Sequence, residues 1–238
     1  MIYAGILAAG LGARMHRQDM PKPFLTLGEK PIIIHTLEQF LINPRVDKLI
    51  VVAPEAWKLY AEDLIQKYDT MGKDVYVITG GENKTVSIQM IVEYIASSWG
   101  ANDEDLILTH DAVRPFVTQK MIDENIETAV KYGAANTVMT TNDTIIVSHD
   151  GVTLSEIPPK HMMLAAQTPQ TYNLKALAAV FEKAAQEGVA LTLETELSRF
   201  YAQKGHTVRL VTGEYSNMKI INPYDLEVAN ALLKERKE

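Results

Sequence analysis

Residues 3–15 read "YAGILAAGLGARM", an apolar run that stops at two closely spaced glycines followed by an arginine. The run falls short of the roughly 20 apolar residues that cross a bilayer, and it suits a strand covered on both faces. A strand ending in glycines lets backbone N–H groups approach an anion with no Cβ in the way. Similar runs recur as "KLIVVAP" at 48–54, "VYVITGG" at 75–81, "DLILTHDA" at 105–112 and "NTVMTT" at 136–141. Stretches of helical spacing separate them. "PIIIHTLEQFLIN" at 31–43 begins on a proline suited to a first turn, "WKLYAEDLIQKY" at 57–68 and "TVSIQMIVEYIASSW" at 85–99 come next, and "TQKMIDENIETAVKYG" at 118–133 opens on Thr118 and closes on Gly133. Alternating strands and helices predict an α/β, Rossmann-like, doubly wound and mostly parallel sheet, with ligands gathered beyond the carboxyl ends of its strands.

The chain has 238 residues, 47% of them hydrophobic, enough for one sizeable core and a single domain over 1–238. Its formal charge of −7 argues against a nucleic-acid partner, because such domains carry a basic face. Cysteine is absent, which removes disulfides, thiolate catalysis and cysteine-ligated zinc. With no basic leader before the first apolar run, the expectation is a soluble, cytoplasmic protein with no membrane partner.

One region breaks the strand–helix rhythm. "DTIIVSHDGVTLSEIPPK" at 143–160 is two alternating segments around Asp150-Gly151, a dipeptide favoured in tight hairpin turns. An isolated two-stranded hairpin is marginal in water, so residues 142–163 are expected to form a protruding β-arm that packs on a second subunit, making a homodimer. A helix near 173–187, a strand in "HTVRLVTG" and a helix from Pro223 complete the chain.

The glycine loop is neither of the two common phosphate motifs. Met15 stands where a dinucleotide fingerprint needs its third glycine, and the glycines lead to no Lys-Ser or Lys-Thr pair as in a P-loop. They lead instead to Arg14 and Lys22, a planar fork and a compact point charge suited to gripping a triphosphate from two sides. Asp111 ends an apolar strand and so falls on the same rim, where a lone carboxylate can share Mg²⁺ with substrate phosphates; a helix cap or a partner for Arg114 is the alternative. The histidines show no zinc spacing.

Read together, "LAAGLGARM", "PKPFLTLGEKPIIIHTLEQF", "GG" at 80–81, "HDAVRPF" at 110–116, "DT" at 143–144, "QTPQTY" at 167–172 and "GEYSNMKI" at 213–220 resemble the sugar- and polyol-phosphate nucleotidyltransferases. The resemblance is closest to the cytidylyltransferases of methylerythritol phosphate or ribitol phosphate. "MIYAGILA", the "QTPQ" context and "EYSN" are more similar to the ribitol-phosphate branch, whereas the methylerythritol branch more often has Asp where Ser216 stands.

The resemblance implies cytidylyl transfer from CTP to a polyol phosphate, with Mg²⁺ as cofactor. D-Ribitol 5-phosphate is the first expectation, which would make the product a teichoic acid precursor, and 2-C-methyl-D-erythritol 4-phosphate, of isoprenoid synthesis, is the alternative. It further implies that Arg14, Lys22 and Lys219 act at the reacting phosphates, and that Leu7, Ala8, Ala9, Gly10, Gly12, Gly80, Gly81, Ser87, Asp111 and Ala112 bind the nucleotide. Asp111 would hold the metal, and Thr144, Lys160, Thr168 and Gln170 the polyol phosphate. Lys160 stands where the family carries an arm arginine, and Lys84 replaces another arginine near the base-binding glycines. Pro23 comes after Lys22 where glutamine is common, and "ETEL" at 194–197 stands where "TDA" is frequent. A nicotinamide-dependent oxidoreductase and a silent nucleotide-binding regulator are the rival classes.

Overall fold

The computed structural model of the chain describes residues 1–9, 20–68, 72–192 and 195–235. Its centre is a seven-stranded sheet built on β1 (Ile2–Leu7), whose neighbours are β4 (Lys48–Ala53) and β6 (Leu106–Asp111). Outside β4 lies β5 (Val75–Thr79); outside β6 lie β8 (Leu164–Asn173), β7 (Ala134–Thr140) and β9 (Arg209–Thr212), giving the order β5-β4-β1-β6-β8-β7-β9. Among these strands β8 alone runs against the rest. A short antiparallel pair, β2 (Thr26–Leu27) with β3 (Lys30–Pro31), stands apart.

Strict alternation along the central strands feeds two cores. Ala4, Ile6, Leu49, Val51, Leu106 and Leu108 face α1 (Ile32–Leu41), α2 (Lys58–Tyr68) and α4 (Gln119–Tyr132). Tyr3, Ile50, Val52 and Ile107 face α3 (Lys84–Trp99), α5 (Leu174–Gln186) and α6 (Leu197–Gln203). Burial on both faces is why these strands read as continuous apolar runs. Three helices start where a side chain accepts from an orphan backbone N–H: Asn83 from Val86, Thr118 from Met121 and Asn173 from Ala176. Gly133 closes α4 at φ +89°, in the left-handed region open to glycine.

A third apolar cluster positions the functional rim. Leu25, Leu27 and Ile32 pack with Val113 and Phe116 after β6, and with Ile220 and Ala229 near α7 (Pro223–Glu235). Gly28, at φ +61°, donates its N–H to Asn230 Oδ1 at 3.0 Å, seating the β2–β3 turn on α7. Ile220 N–H donates to Val113 O at 2.9 Å. The segment carrying Lys219 is thereby laid against the end of β6.

Besides the short β2–β3 pair, β8 and α6 were not anticipated. β8 occupies residues left unassigned in the sequence, because Pro169 supplies no ladder donor and the segment holds no run of branched apolar residues. α6 is a seven-residue helix too short for a clear periodic signal. The hairpin expected at 143–160 is present in outline: Gly151 turns at φ +74°, and Val147 N–H donates to Glu156 O at 2.8 Å across an isolated bridge. Asp150 organises the turn by accepting from Val152 N, Thr153 N, Thr153 Oγ1 and Ser148 Oγ. Among the described residues, no helix is long and apolar enough to cross a membrane.

Candidate active site

The carboxyl ends of β1, β4, β5 and β6 meet at one rim. Leu7 pairs with both Val52 and Asp111, Ala8 N–H donates to Val52 O at 2.8 Å, Gly80 N–H to Ala53 O at 2.9 Å, and Ala112 N–H to Leu7 O at 3.1 Å. This brings together Leu7, Ala8, Ala9, Gly80 and Ala112, which come from three segments far apart in the chain. Gly10, Gly12 and Arg14, the rest of the loop read from the sequence, lie outside the described residues.

The Gly80–Gly81 turn leaves no space for a larger residue. A Cβ on Gly80 would stand 2.5 Å from Ala9 Cβ and 2.6 Å from Val52 Cγ1, and one on Gly81 would stand 2.3 Å from Val86 Cγ1. Ser87 is buried with its Oγ accepting from Gly81 N–H at 3.1 Å. Its hydroxyl therefore shapes the turn from inside the first turn of α3.

Asp111 is buried at the end of β6, and its Oδ2 accepts from Arg114 Nε at 3.2 Å and faces Lys219 Nζ at 3.1 Å. Burial alone would raise its pKa, yet the cations of Lys84, Lys219 and Arg114 outweigh that and hold the carboxyl well below the usual carboxylate range. Both neighbours take the same oxygen, and Oδ1 carries no hydrogen bond among the described residues. The pairing with Arg114, offered from the sequence as the alternative to a metal-holding role, is thus present in the geometry.

A buried knot holds this carboxylate in place. Asp111 N–H donates to Thr168 Oγ1 at 3.1 Å; Arg114 Nη1 donates to Asn217 O at 2.8 Å; Asn217 Nδ2 donates to Thr168 O at 2.8 Å and Gln167 Oε1 at 3.1 Å. Lys22 Nζ donates to Ile221 O at 2.9 Å, which brings it to the segment that carries Lys219. Arg114 and Asn217 were not named as site residues from the sequence, although "HDAVRPF" and "GEYSNMKI" contain them. Lys84 opens α3, where the helix N-terminus disfavours a cation; its field on Asp111 gives that placement a use.

His110 points to the opposite face of the sheet, where it is fully buried, lies 5.1 Å from the Phe40 ring centroid and hydrogen-bonds Arg114 O through Nε2 at 3.1 Å. Burial pushes its pKa down to about 4, so the imidazole is neutral and, facing a carbonyl, donates from Nε2.

The other residues expected to touch the polyol divide into two groups. Thr168 and Gln170 are buried in β8, Gln170 with its amide between Asn136 and Glu196. Thr144 and Lys160 lie exposed on the arm. Lys160 Nζ donates to Asn142 O at 2.7 Å, and Tyr215 OH donates to Asn142 Oδ1 at 3.0 Å, so the arm base is tied to the segment that leads into Asn217 and Lys219. In the single chain these two arm residues are not part of the Asp111 knot.

The mostly parallel α/β sheet, with glycines, a buried carboxylate and cations at one rim, is here that of a nucleotidyltransferase, the class to which the matching family belongs. The chain belongs to the IspD family: the family model described as 2-C-methyl-D-erythritol 4-phosphate cytidylyltransferase matches residues 2–235. Among solved structures, 4-diphosphocytidyl-2C-methyl-D-erythritol synthase from Anaerococcus prevotii is similar at 27% identity and a TM-score of 0.81, covering 98% of this chain and 96% of that one. The Francisella tularensis 2-C-methyl-D-erythritol 4-phosphate cytidylyltransferase is 25% identical, with a TM-score of 0.78 and coverage of 97% and 98%. The Thermus thermophilus protein of the same name shares the fold at 24% identity and a TM-score of 0.74, over 97% of this chain and 98% of that one. Family membership sets aside the oxidoreductase reading.

Proposed function

We propose that this chain transfers a cytidylyl group from CTP to the phosphate of a short polyol, releasing pyrophosphate. The observation that carries the reading is the buried Asp111 carboxylate held ionised by Lys219 and Arg114, on the rim shared with the Gly80–Gly81 turn. In the reaction an oxygen of the acceptor phosphate attacks the α-phosphorus. One P–O bond forms there as the bond to the bridging oxygen breaks, and the electron pair leaves with pyrophosphate.

The acceptor phosphate is largely ionised at pH 7, since such groups have a second pKa of about 6, so no general base is required. The barrier lies in bringing two anions together, and catalysis is positioning plus charge stabilisation. Lys219 is assigned to the α-phosphate and the incoming phosphate. Lys22, held by Ile221 O, is assigned to the triphosphate together with Arg14. Leu7, Ala8, Ala9, Gly80, Gly81 and Ala112 line the nucleotide's side of the rim.

Among the described residues no cluster of three or more acidic or histidine side chains could hold a metal. The donor set nevertheless suits Mg²⁺, an ion commonly bound through one or two carboxylates plus substrate phosphates; Asp111 would hold it through Oδ1. Such an ion, when bound, neutralises charge on the phosphate oxygens.

For the acceptor, the name of the matching family and of the similar solved structures supports 2-C-methyl-D-erythritol 4-phosphate. Ribitol 5-phosphate is the second reading, favoured by the "EYSN" stretch: Ser216 Oγ donates to the Glu214 carboxylate at 3.3 Å. An aspartate there would set two carboxylates against each other, so the segment is built around a neutral residue. The arm exposes Ile146, Val152, Leu154, Ile157 and Met162, an apolar surface suited to a second copy of the chain, which would bring Thr144 and Lys160 to the neighbouring site. Pyrophosphate release with CTP, Mg²⁺ and a panel of ribitol 5-phosphate, methylerythritol 4-phosphate and sugar phosphates tests the proposal. Release confined to a polyol phosphate is expected, and its absence across the panel refutes cytidylyl transfer.

A further inference from the structure

The sheet register places a second polar cluster directly behind the cations. β6 and β8 pair Ile107 with Tyr172 and Thr109 with Gln170, so the next opposed pair on that face is Asp111 and Thr168, in keeping with the hydrogen bond between them. Gln170 lies one pleat back from this pair, about 7 Å along the strand, on the face covered by α3, α5 and α6. It is 2% exposed, and its amide nitrogen donates to Asn136 Oδ1 at 3.2 Å and Glu196 Oε1 at 3.3 Å. Asn136 donates in turn to Ser198 Oγ at 3.1 Å, and Ser198 shares a 2.8 Å hydrogen bond with the Tyr172 hydroxyl. A buried chain of side chains therefore pins one oxygen of Glu196.

Glu196 itself is exposed and stands at the N-cap of α6, where its side chain makes no capping hydrogen bond. Its Oε2 carries no hydrogen bond among the described residues. The loop leading to it is fastened to the first turn of α3, where Asn83 Nδ2 donates to Leu191 O and Thr85 Oγ1 to Thr195 O, both at 2.7 Å, on either side of Lys84. Glu196 is thus tied on one side to β8, through Gln170, and on the other, through its own loop, to the helix turn that bears Lys84.

We infer that Glu196 is a specificity-determining residue, accepting hydrogen bonds from the polyol hydroxyls while the cations hold the phosphate; this rests on the cytidylyl-transfer reading. A polyol phosphate is anionic at one end and offers hydroxyl donors at the other. An ionised carboxylate is an acceptor-only group and makes strong charge-assisted bonds to hydroxyls. It also repels a phosphate, so the same residue sets the direction in which the acceptor lies.

The test compares wild type, Glu196→Gln and Glu196→Ala in pyrophosphate release. Each uses the accepted polyol phosphate and its analogue lacking the hydroxyl farthest from the phosphate. Wild type should prefer the full acceptor by about 10- to 100-fold, the range for one charge-assisted hydrogen bond. Both variants should lose most of that preference through a raised acceptor KM, with kcat and the KM for CTP within about twofold of wild type. A merely structural role would leave the preference intact, so a variant that keeps it overturns the inference while leaving cytidylyl transfer standing. No release by wild type with any polyol phosphate overturns both.

Discussion

Gly80→Ala is the most direct probe of how the fold builds its nucleotide rim. The added methyl would sit 2.5 Å from Ala9 Cβ and 2.6 Å from Val52 Cγ1, whereas carbon atoms in good contact lie about 3.5–4.0 Å apart. The overlap is close to 1 Å on each side, and neither neighbour can swing away. Ala9 has no rotamer, and Val52 is buried in a central strand with a stiff β-branched side chain. Overpacking of this kind costs about 1–3 kcal/mol, which for a chain of this size lowers Tm by roughly 2–12 °C. The turn relieves the clash by moving away from the strand ends, so the KM for CTP should rise about tenfold for each 1.4 kcal/mol of lost binding. Differential scanning calorimetry and steady-state kinetics read the two effects. A variant that melts with the parent and keeps its KM for CTP would refute the idea that close approach of β5 to β1 and β4 shapes the site.

Lys22→Ala should lower turnover by about 100-fold or more, the range for removing one donor to transition-state charge; wild-type turnover would take Lys22 out of the mechanism. Lys160→Ala should chiefly raise the KM for the polyol phosphate, and a large loss of turnover at saturating acceptor would contradict its assignment to acceptor binding. Burial holds His110 at about 4 against about 6.5 in an unfolded chain. Its contribution to stability is therefore complete above about pH 6.5 and is lost as pH falls toward 4, amounting to about 3 kcal/mol. Urea midpoints across that window should fall with pH, and an imidazole NMR resonance of His110 that titrates near 6.5 in the folded protein would disprove the burial argument.

Much of the molecule is legible in the chain alone. The strands that proved central, β1, β4 and β6, are visible as apolar runs because a parallel strand buried on both faces has no polar side to interrupt it. Thr118 and Gly133 mark the ends of α4 because caps act locally. β8 is hidden for the converse reason: a strand holding a proline and several glutamines and threonines draws its stability from its neighbours β6 and β7. Asp111 is legible as a strand-end carboxylate and Arg114 as its alternative partner, but Asn217 and Glu196 were not named, since nothing local says which polar groups they will meet.

Local propensity, hydrophobic period and glycine spacing were sufficient for the fold class, for most of the strands and helices in their order and for the glycine turns at the strand ends, because each depends on residues close in the chain. The convergence of Lys22, Lys84, Asp111, Arg114, Thr168 and Lys219, and the chain of buried hydrogen bonds from Tyr172 to Glu196, depended on the tertiary structure alone. Those groups come from segments far apart in sequence, and only the sheet register and the packing of α3, α6 and α7 against it bring their charges within range of one another.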